Sequence, residues 1–256
     1  MRILFLGDIV GHPGRMVVEE RLPALLDQYR PDLVIANAEN MANGRGLTPK
    51  LAETLFDANI DILTMGNHVW DHREIFGYID NEKRIVRPAN YPKGAPGFGY
   101  ILVKVDTVKV AVVNLMGRVF MGDYDSPFAV INQILEEIQS ETKHIFIDFH
   151  AEATSEKLAL AHFVDGRVSA VVGTHTHVQT ADEQILPGGT AYLTDVGMCG
   201  PIDSIIGMKK DQVLQRFLTQ MPVRLEVEAG PAKLNAVVID LLDNGLASSI
   251  QRIALK

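Results

Sequence analysis

Among the residues that follow apolar runs of strand character, two carboxylates, two carboxamides and three imidazoles are candidate metal ligands. Arg2–Leu6 leads into Gly7-Asp8, Asp32–Ala36 into Asn37-Ala38-Glu39-Asn40, and Ile60–Thr64 into Gly66-Asn67-His68. Further on, His144–Phe149 ends at His150, and Val168–Val172 runs into Gly173-Thr174-His175-Thr176-His177. In an open α/β sheet the carboxyl ends of parallel strands share one edge, and ligands bind there. Taken singly, each residue has an ordinary explanation: an aspartate after a strand turns the chain or caps a helix, Glu39 and Asn40 suit a solvated loop, and His150 suits a packed core. His175 and His177 are harder to set aside, because alternation at a strand end points both imidazoles the same way.

The set contains no thiolate and so suits ions that accept mixed oxygen and nitrogen ligands: manganese, iron, cobalt or zinc. Seven ligands are too many for one tetrahedral ion. They match two ions about 3.5–4 Å apart that share a carboxylate and a hydroxide, an arrangement that hydrolyses phosphate esters while a nearby acid protonates the leaving group.

The elements that must carry these residues are legible from pattern. Besides the five strands, Pro13–Tyr29, Thr48–Ala58 and Ser126–Ser140 read as helices, the last two opening on an N-cap followed by proline. Gly99–Val105 and Lys109–Leu115 form a second group of β-type runs, as do Val223–Val227, Leu234–Leu242 and Leu246–Ala254. The last three are joined by Ala229-Gly230-Pro231 and Asp243-Asn244-Gly245, which predicts antiparallel hairpins. Two mixed sheets with helices outside, in one domain over residues 1–256, are the expectation; Arg87–Gly99 is a loop.

Composition narrows the partners. With 47% hydrophobic and 22% charged residues the chain is globular, and its net charge of −8 repels long nucleic acids and anionic membranes while leaving small phosphodiesters to a metal site. Cys199 is the one cysteine, which removes internal disulfides and fits a reducing cytoplasm. No apolar run reaches the length of a membrane span. Apolar hairpin edges such as Val223–Val227 leave a homo-oligomer open.

The order Gly7-Asp8, Asn37–Asn40, Gly66-Asn67-His68, His150 and Gly173–His177 resembles the motifs of the calcineurin-like metallophosphoesterases. Asp148-Phe149-His150-Ala151-Glu152-Ala153-Thr154-Ser155-Glu156-Lys157, Gly173–Asp182 and Gly200–Gly207 are similar to the YmdB-like branch. That resemblance implies a four-layer α/β/β/α sandwich. It also implies that Asp8 and His177 hold one metal, that Asn67, His150 and His175 hold the other with Asn40 in its shell, that Glu39 bridges them, and that His68 donates the proton to the departing oxygen. Two ions per chain, iron first with manganese or zinc as alternatives, and a small cyclic nucleotide such as 2′,3′-cyclic AMP are the implied cofactors and substrate. Another phosphoester, cleaved by a phosphomonoesterase or nuclease, and a ligand-sensing metalloprotein with little turnover are the competing readings. Val10 stands where the broader superfamily has a metal-binding histidine, and Val69 where it has an acidic neighbour of His68, so Asp71 or a more distant group must orient that imidazole.

Other conspicuous residues carry plainer expectations. His12 suits helix entry, Asp71 and His72 suit the start of a helix, and His144 and His162 suit packing or surface roles. Trp70 reads as packing ahead of base stacking, and Cys199 as an incidental small side chain. Gly44-Arg45-Gly46 reads equally as a phosphate-binding loop and as an ordinary turn; Arg118 invites the same thought with less support.

Overall fold

Short apolar runs alternate with helical segments, and in the computed structural model, which describes residues 1–256, they stack as layers. The first part of the chain comprises β1 (Arg2–Leu6), β2 (Asp8–Ile9), α1 (Gly11–Tyr29), β3 (Leu33–Asn37), α2 (Pro49–Asp57), β4 (Ile62–Thr64), α3 (Ile75–Ile79) and β5 (Ile85–Val86). The middle follows with β6 (Tyr100–Val105), β7 (Val108–Met116), α4 (Pro127–Ile138), β8 (His144–His150), α5 (Thr154–Val164) and β9 (Ala170–Thr174). β10 (Gln184–Ile185), β11 (Ala191–Leu193), β12 (Met198–Pro201), α6 (Lys210–Thr219), β13 (Ala232–Leu241) and β14 (Ala247–Leu255) complete it.

One sheet has the order β2-β12-β13-β1-β3-β4-β5, with β14 paired to β13; β1, β3, β4 and β5 are parallel. The other has the order β10-β11-β9-β8-β7-β6, with β11, β9, β8 and β7 parallel. Side chains alternate across each strand. Leu4 and Leu6 therefore face Val18 and Leu22 of α1 and Leu55 of α2, whereas Ile3 and Phe5 face Val112, Phe146 and Val172 of the second sheet. On that sheet's outer face, Val113, Ile147 and Val171 pack on Ile131 and Leu135 of α4 and Leu160 of α5. Three apolar interfaces thus separate four layers, which is the α/β/β/α sandwich. Strands covered on both faces read as continuous apolar runs rather than alternating ones.

Local signals hold where one residue decides them. The Thr48 hydroxyl accepts from Leu51 N at 3.4 Å and opens α2 before Pro49. Gly245, at φ +88°, turns the chain between β13 and β14. The expected strand Val223–Val227 is not one: the segment makes a single bridge, Met208 to Val227, and Ala229-Gly230-Pro231 is a connection rather than a hairpin turn. Side-chain contacts anchor this stretch in place of a ladder. Gln212 Oε1 accepts from Glu226 N at 2.7 Å, and Val227 packs so closely on Gly11 and Gly44 that a Cβ on either would lie 2.8 Å from one of its methyls. α6 and the short strands β11 and β12 carry no clear pattern in the sequence.

Candidate metal centre

A fully buried aspartate between the two sheets fixes how their edges meet. The Asp148 Oδ2 on β8 accepts from Asn37 Nδ2 at the end of β3, at 3.0 Å, and from Thr64 Oγ1 at the end of β4, at 2.5 Å. Its Oδ1 accepts from Thr174 Oγ1 at 2.7 Å. With the hydroxyl proton of Thr174 committed to Asp148, Thr174 Oγ1 receives the proton of His150 Nδ1 at 2.9 Å. The imidazole of His150 is thereby oriented so that Nε2 faces the gap between the sheets.

Around that nitrogen stand Glu39 Oε1 at 3.0 Å, His175 Nδ1 at 3.0 Å and Asn67 Oδ1 at 3.1 Å. Burial alone raises the carboxyl of Glu39, but the facing His150 more than offsets it and brings the carboxyl down to about 2. For His150 burial opposes the charged form, yet Glu39, Asp8 and Asp148 push it up to about 9. His175 is driven down to about 3 by burial and by the charge of His150, so it is neutral. One N–H on His150 cannot serve three acceptors, whereas a cation at the centre of the group satisfies all four atoms. Glu39, His150 and His175 form a group whose ligand atoms all lie within 4.8 Å of one another. A Cβ on Gly66 would collide with Glu39 Oε2 and His150 Cδ2, so the turn after β4 needs glycine to let the backbone pass.

A second set of free lone pairs adjoins the first. The buried Asp8 Oδ1 has no hydrogen-bond partner and lies 3.8 Å from His177 Nε2. His177 Nδ1 donates to the Ile206 carbonyl at 2.8 Å, which leaves Nε2 as the acceptor facing Asp8. Burial pushes the Asp8 carboxyl up to about 6, opposed chiefly by His177 and His150. Next to Glu39 in the chain, Asn40 donates through Nδ2 to the Gly44 carbonyl at 3.0 Å, and its buried Oδ1 is unpartnered. Orphaned buried oxygens beside imidazole lone pairs fit first-row divalent ions that accept mixed oxygen and nitrogen ligands. Val10 is fully buried where the superfamily pattern has a histidine, so Asp8 and His177 lack that additional ligand.

The structure corrects why the two histidines of Thr174–His177 converge. β9 ends at Thr174, and His175 and His177 lie beyond it at φ +100° and +65°, so positive-φ turns rather than strand alternation aim them. Such conformations cost about 1–3 kcal/mol each for a side-chain-bearing residue and persist only where the surroundings over-determine them. Here Lys157, 1% exposed, donates to the Thr174 carbonyl at 2.8 Å and to Asp195 Oδ2 at 2.7 Å, while Asp195 accepts from Thr176 N at 3.1 Å and Gly197 N at 2.8 Å. Sequence reasoning misses Lys157, Asp195 and Asp148, although residues 148 and 150 share a face by strand alternation.

His68 lies half-buried at the rim. Its backbone N donates to Glu39 Oε2 at 3.0 Å and its Nδ1 donates to Asp71 Oδ2 at 3.0 Å, so Asp71 is the orienting group. Neither Asp71 nor His72 starts a helix: α3 begins at Ile75, and His72 Nε2 instead donates to the Arg45 carbonyl at 3.0 Å. Trp70 packs edge-on against Tyr91, centroids 5.7 Å apart. The Gly44-Arg45-Gly46 segment is a turn: Gly44 N donates to Asn40 O and Arg45 N to Ala42 O, which removes those two amides from anion binding. Cys199 is buried, its thiol pushed up to about 12 by burial.

The family model described as YmdB-like protein matches residues 4–253. The chain belongs to the YmdB-like family. Over 256 residues this YmdB-like chain is 53% identical to the 2′,3′-cyclic-nucleotide 2′-phosphodiesterase of Bacillus subtilis (strain 168), covering 100% of this chain and 97% of that relative. A crystal structure described as a hypothetical protein from Thermus thermophilus superposes with a TM-score of 0.94 at 44% identity, covering 99% of this chain and 98% of that one. The 5′-nucleotidase precursor of the same organism, 14% identical, gives a TM-score of 0.60 over 100% of this chain and 54% of that one, and so shares the fold. The YmdB-like chain is a hydrolase of the metallophosphoesterase type, whose family works with divalent ions. None of its helices is long and apolar enough to cross a membrane.

Proposed function

We propose that this YmdB-like enzyme hydrolyses nucleoside 2′,3′-cyclic phosphates, 2′,3′-cyclic AMP among them, at the P–O2′ bond, leaving a 3′-phosphate. Asp8 and His177 would hold one ion, Asn67, His150, His175 and Asn40 the other, and Glu39 would serve both. The convergence of Glu39, Asn67 and His175 on His150 Nε2 carries the reading. The 53% identity to a 2′-phosphodiesterase supports the substrate class. When bound, the two ions supply an acidified water and a clamp on the phosphoryl oxygens. The chain's own contribution is to orient. Asp148 and Thr174 fix the tautomer of His150, the Ile206 carbonyl fixes that of His177, and Asp71 holds His68 so that its Nε2 is free to protonate the departing 2′-oxygen.

Elemental analysis and hydrolysis of 2′,3′-cyclic AMP, measured on the same purified sample, test this. About two ions per chain with 3′-AMP as product is the expected result. A chain that takes up no ion from added manganese or iron, or one that holds metal and leaves the cyclic phosphate intact, overturns the reading.

Removing the support of His150 has a smaller, graded effect. Asp148→Asn and Thr174→Val are each expected to weaken metal binding about 10–100-fold, the range for loss of an outer hydrogen-bond partner of a ligand. Competition with a chelator measures it; unchanged retention in both variants would show that His150 needs no such support.

A further inference from the structure

Three arginines from separate parts of the chain, Arg45, Arg216 and Arg224, line one cavity of about 300 Å³ together with Asn43, Val223 and Leu225. Their guanidiniums make no hydrogen bond or ion pair within the protein, although the chain's net charge is −8. Glu226, the carboxylate two residues from Arg224, is taken up by Lys209 at 2.6 Å. Glu226 is the carboxylate that Arg224 acts on, and it is already bonded to Lys209; like charges gathered together repel one another, and an anion among them relieves that cost. A guanidinium presents a planar fork of donors that matches phosphate oxygens two at a time.

The position of this cavity says which phosphate it would meet. Arg45 lies in the turn that follows Glu39 and Asn40, and its carbonyl accepts from His72 Nε2 at 3.0 Å. The adjoining Gly46 packs against the His68 turn: a Cβ there would lie 2.7 Å from His72 Cδ2 and 3.3 Å from the His68 carbonyl. Through Arg45 and Gly46 the cavity adjoins the turn that carries His68. When a 2′-oxygen leaves toward His68, the nucleoside lies on the His68 side, and the next anion along it is a phosphate on the 5′-oxygen.

We propose that Arg45, Arg216 and Arg224 bind a second phosphate, carried on the 5′-oxygen of a nucleotide whose 2′,3′-cyclic phosphate occupies the metal centre. This rests on the proposed activity and narrows its substrates to 5′-phosphorylated nucleoside cyclic phosphates, free or at the end of a short oligonucleotide. All three arginines are exposed, so the interaction is screened by salt and is strongest at low ionic strength.

The test compares kcat/KM at low salt for three substrates: adenosine 2′,3′-cyclic phosphate, its 5′-phosphorylated form, and a dinucleotide ending in the same cyclic phosphate. In the wild type the 5′-phosphate is expected to raise kcat/KM at least about tenfold, and in Arg216→Gln/Arg224→Gln the ratio falls to about one. A gain shared by the dinucleotide identifies oligonucleotide ends as the source; a gain confined to the monoester identifies the free nucleotide. No gain in the wild type, or a gain that the double variant keeps, overturns the proposal. Calorimetry of adenosine 3′,5′-bisphosphate against adenosine 3′-phosphate gives a second readout on the metal-loaded protein. Tighter binding of the bisphosphate, lost in the double variant, supports the arginine site, and equal binding refutes it. Failure to hydrolyse any of the three substrates counts against the proposed activity instead, and the calorimetric comparison still decides the arginine site.

Discussion

Glu39→Gln is expected to lower turnover of 2′,3′-cyclic AMP by at least about 10³-fold, well beyond the ~10–100-fold that loss of an outer-shell partner costs. Both carboxylate oxygens are committed: Oε1 faces His150 Nε2 at 3.0 Å, and Oε2 accepts from His68 N at 3.0 Å. A carboxamide of the same shape has one acceptor oxygen. If that oxygen keeps the His68 N–H, the amide group points donors into the metal centre; if it turns inward, two donors meet at His68. Either way the site loses the negative charge that the proposed pair of ions would share. Volume is conserved, so far-UV circular dichroism is expected to match wild type while elemental analysis shows fewer than two ions per chain. Full activity with a full complement of metal would remove Glu39 from the site.

Much of this site is legible in the sequence because strand ends are a strong positional signal. An apolar run followed by a carboxylate, carboxamide or imidazole says little once, but five such runs in parallel sheets have one edge to share. Asp8, Glu39, His150, His175 and His177 are accordingly gathered where the two sheets meet. What sequence reasoning does not reach is set by contacts between distant segments. Positive-φ turns at His175 and His177 have no local signature, since most residues avoid them, and they stand because the buried Lys157–Asp195 pair grips the same backbone. Val223–Val227 has the composition of a strand, but whether an extended segment pairs depends on its neighbour, and here the pairing is limited to the bridge between Met208 and Val227. α6 is hidden for a related reason: Leu214, Phe217 and Leu218 are exposed on it, so its apolar residues do not mark a core-facing stripe.

The layered fold also explains the distribution of strain and support around the centre. Asp148 lies between the sheets and binds both, through Asn37 and Thr64 on one side and Thr174 on the other. A single buried carboxylate thus ties sheet register to the orientation of His150. A buried charge of this kind is tolerated because three donors reach it, and removing any one leaves the others to carry a group whose pKa burial already raises.

His68→Ala is expected to separate proton donation from metal chemistry. General acids contribute about 10²–10⁴-fold, so hydrolysis of 2′,3′-cyclic AMP should fall by that amount, because a ribose oxygen is a poor leaving group without a proton. A p-nitrophenyl phosphodiester needs no such help, and its hydrolysis should fall by less than about tenfold in the same variant. Metal content should be that of the wild type, since it is the backbone N–H of His68, retained in alanine, that holds Glu39. Asp71→Asn is expected to fall between wild type and His68→Ala on the cyclic nucleotide: it keeps an acceptor for Nδ1 but loses the charge that steadies a protonated imidazole 3.0 Å away. Equal losses on both substrates would instead place His68 among the groups that hold the metal or bind the phosphate. The ratio between the two substrates, not the size of either loss, therefore decides the role of this residue.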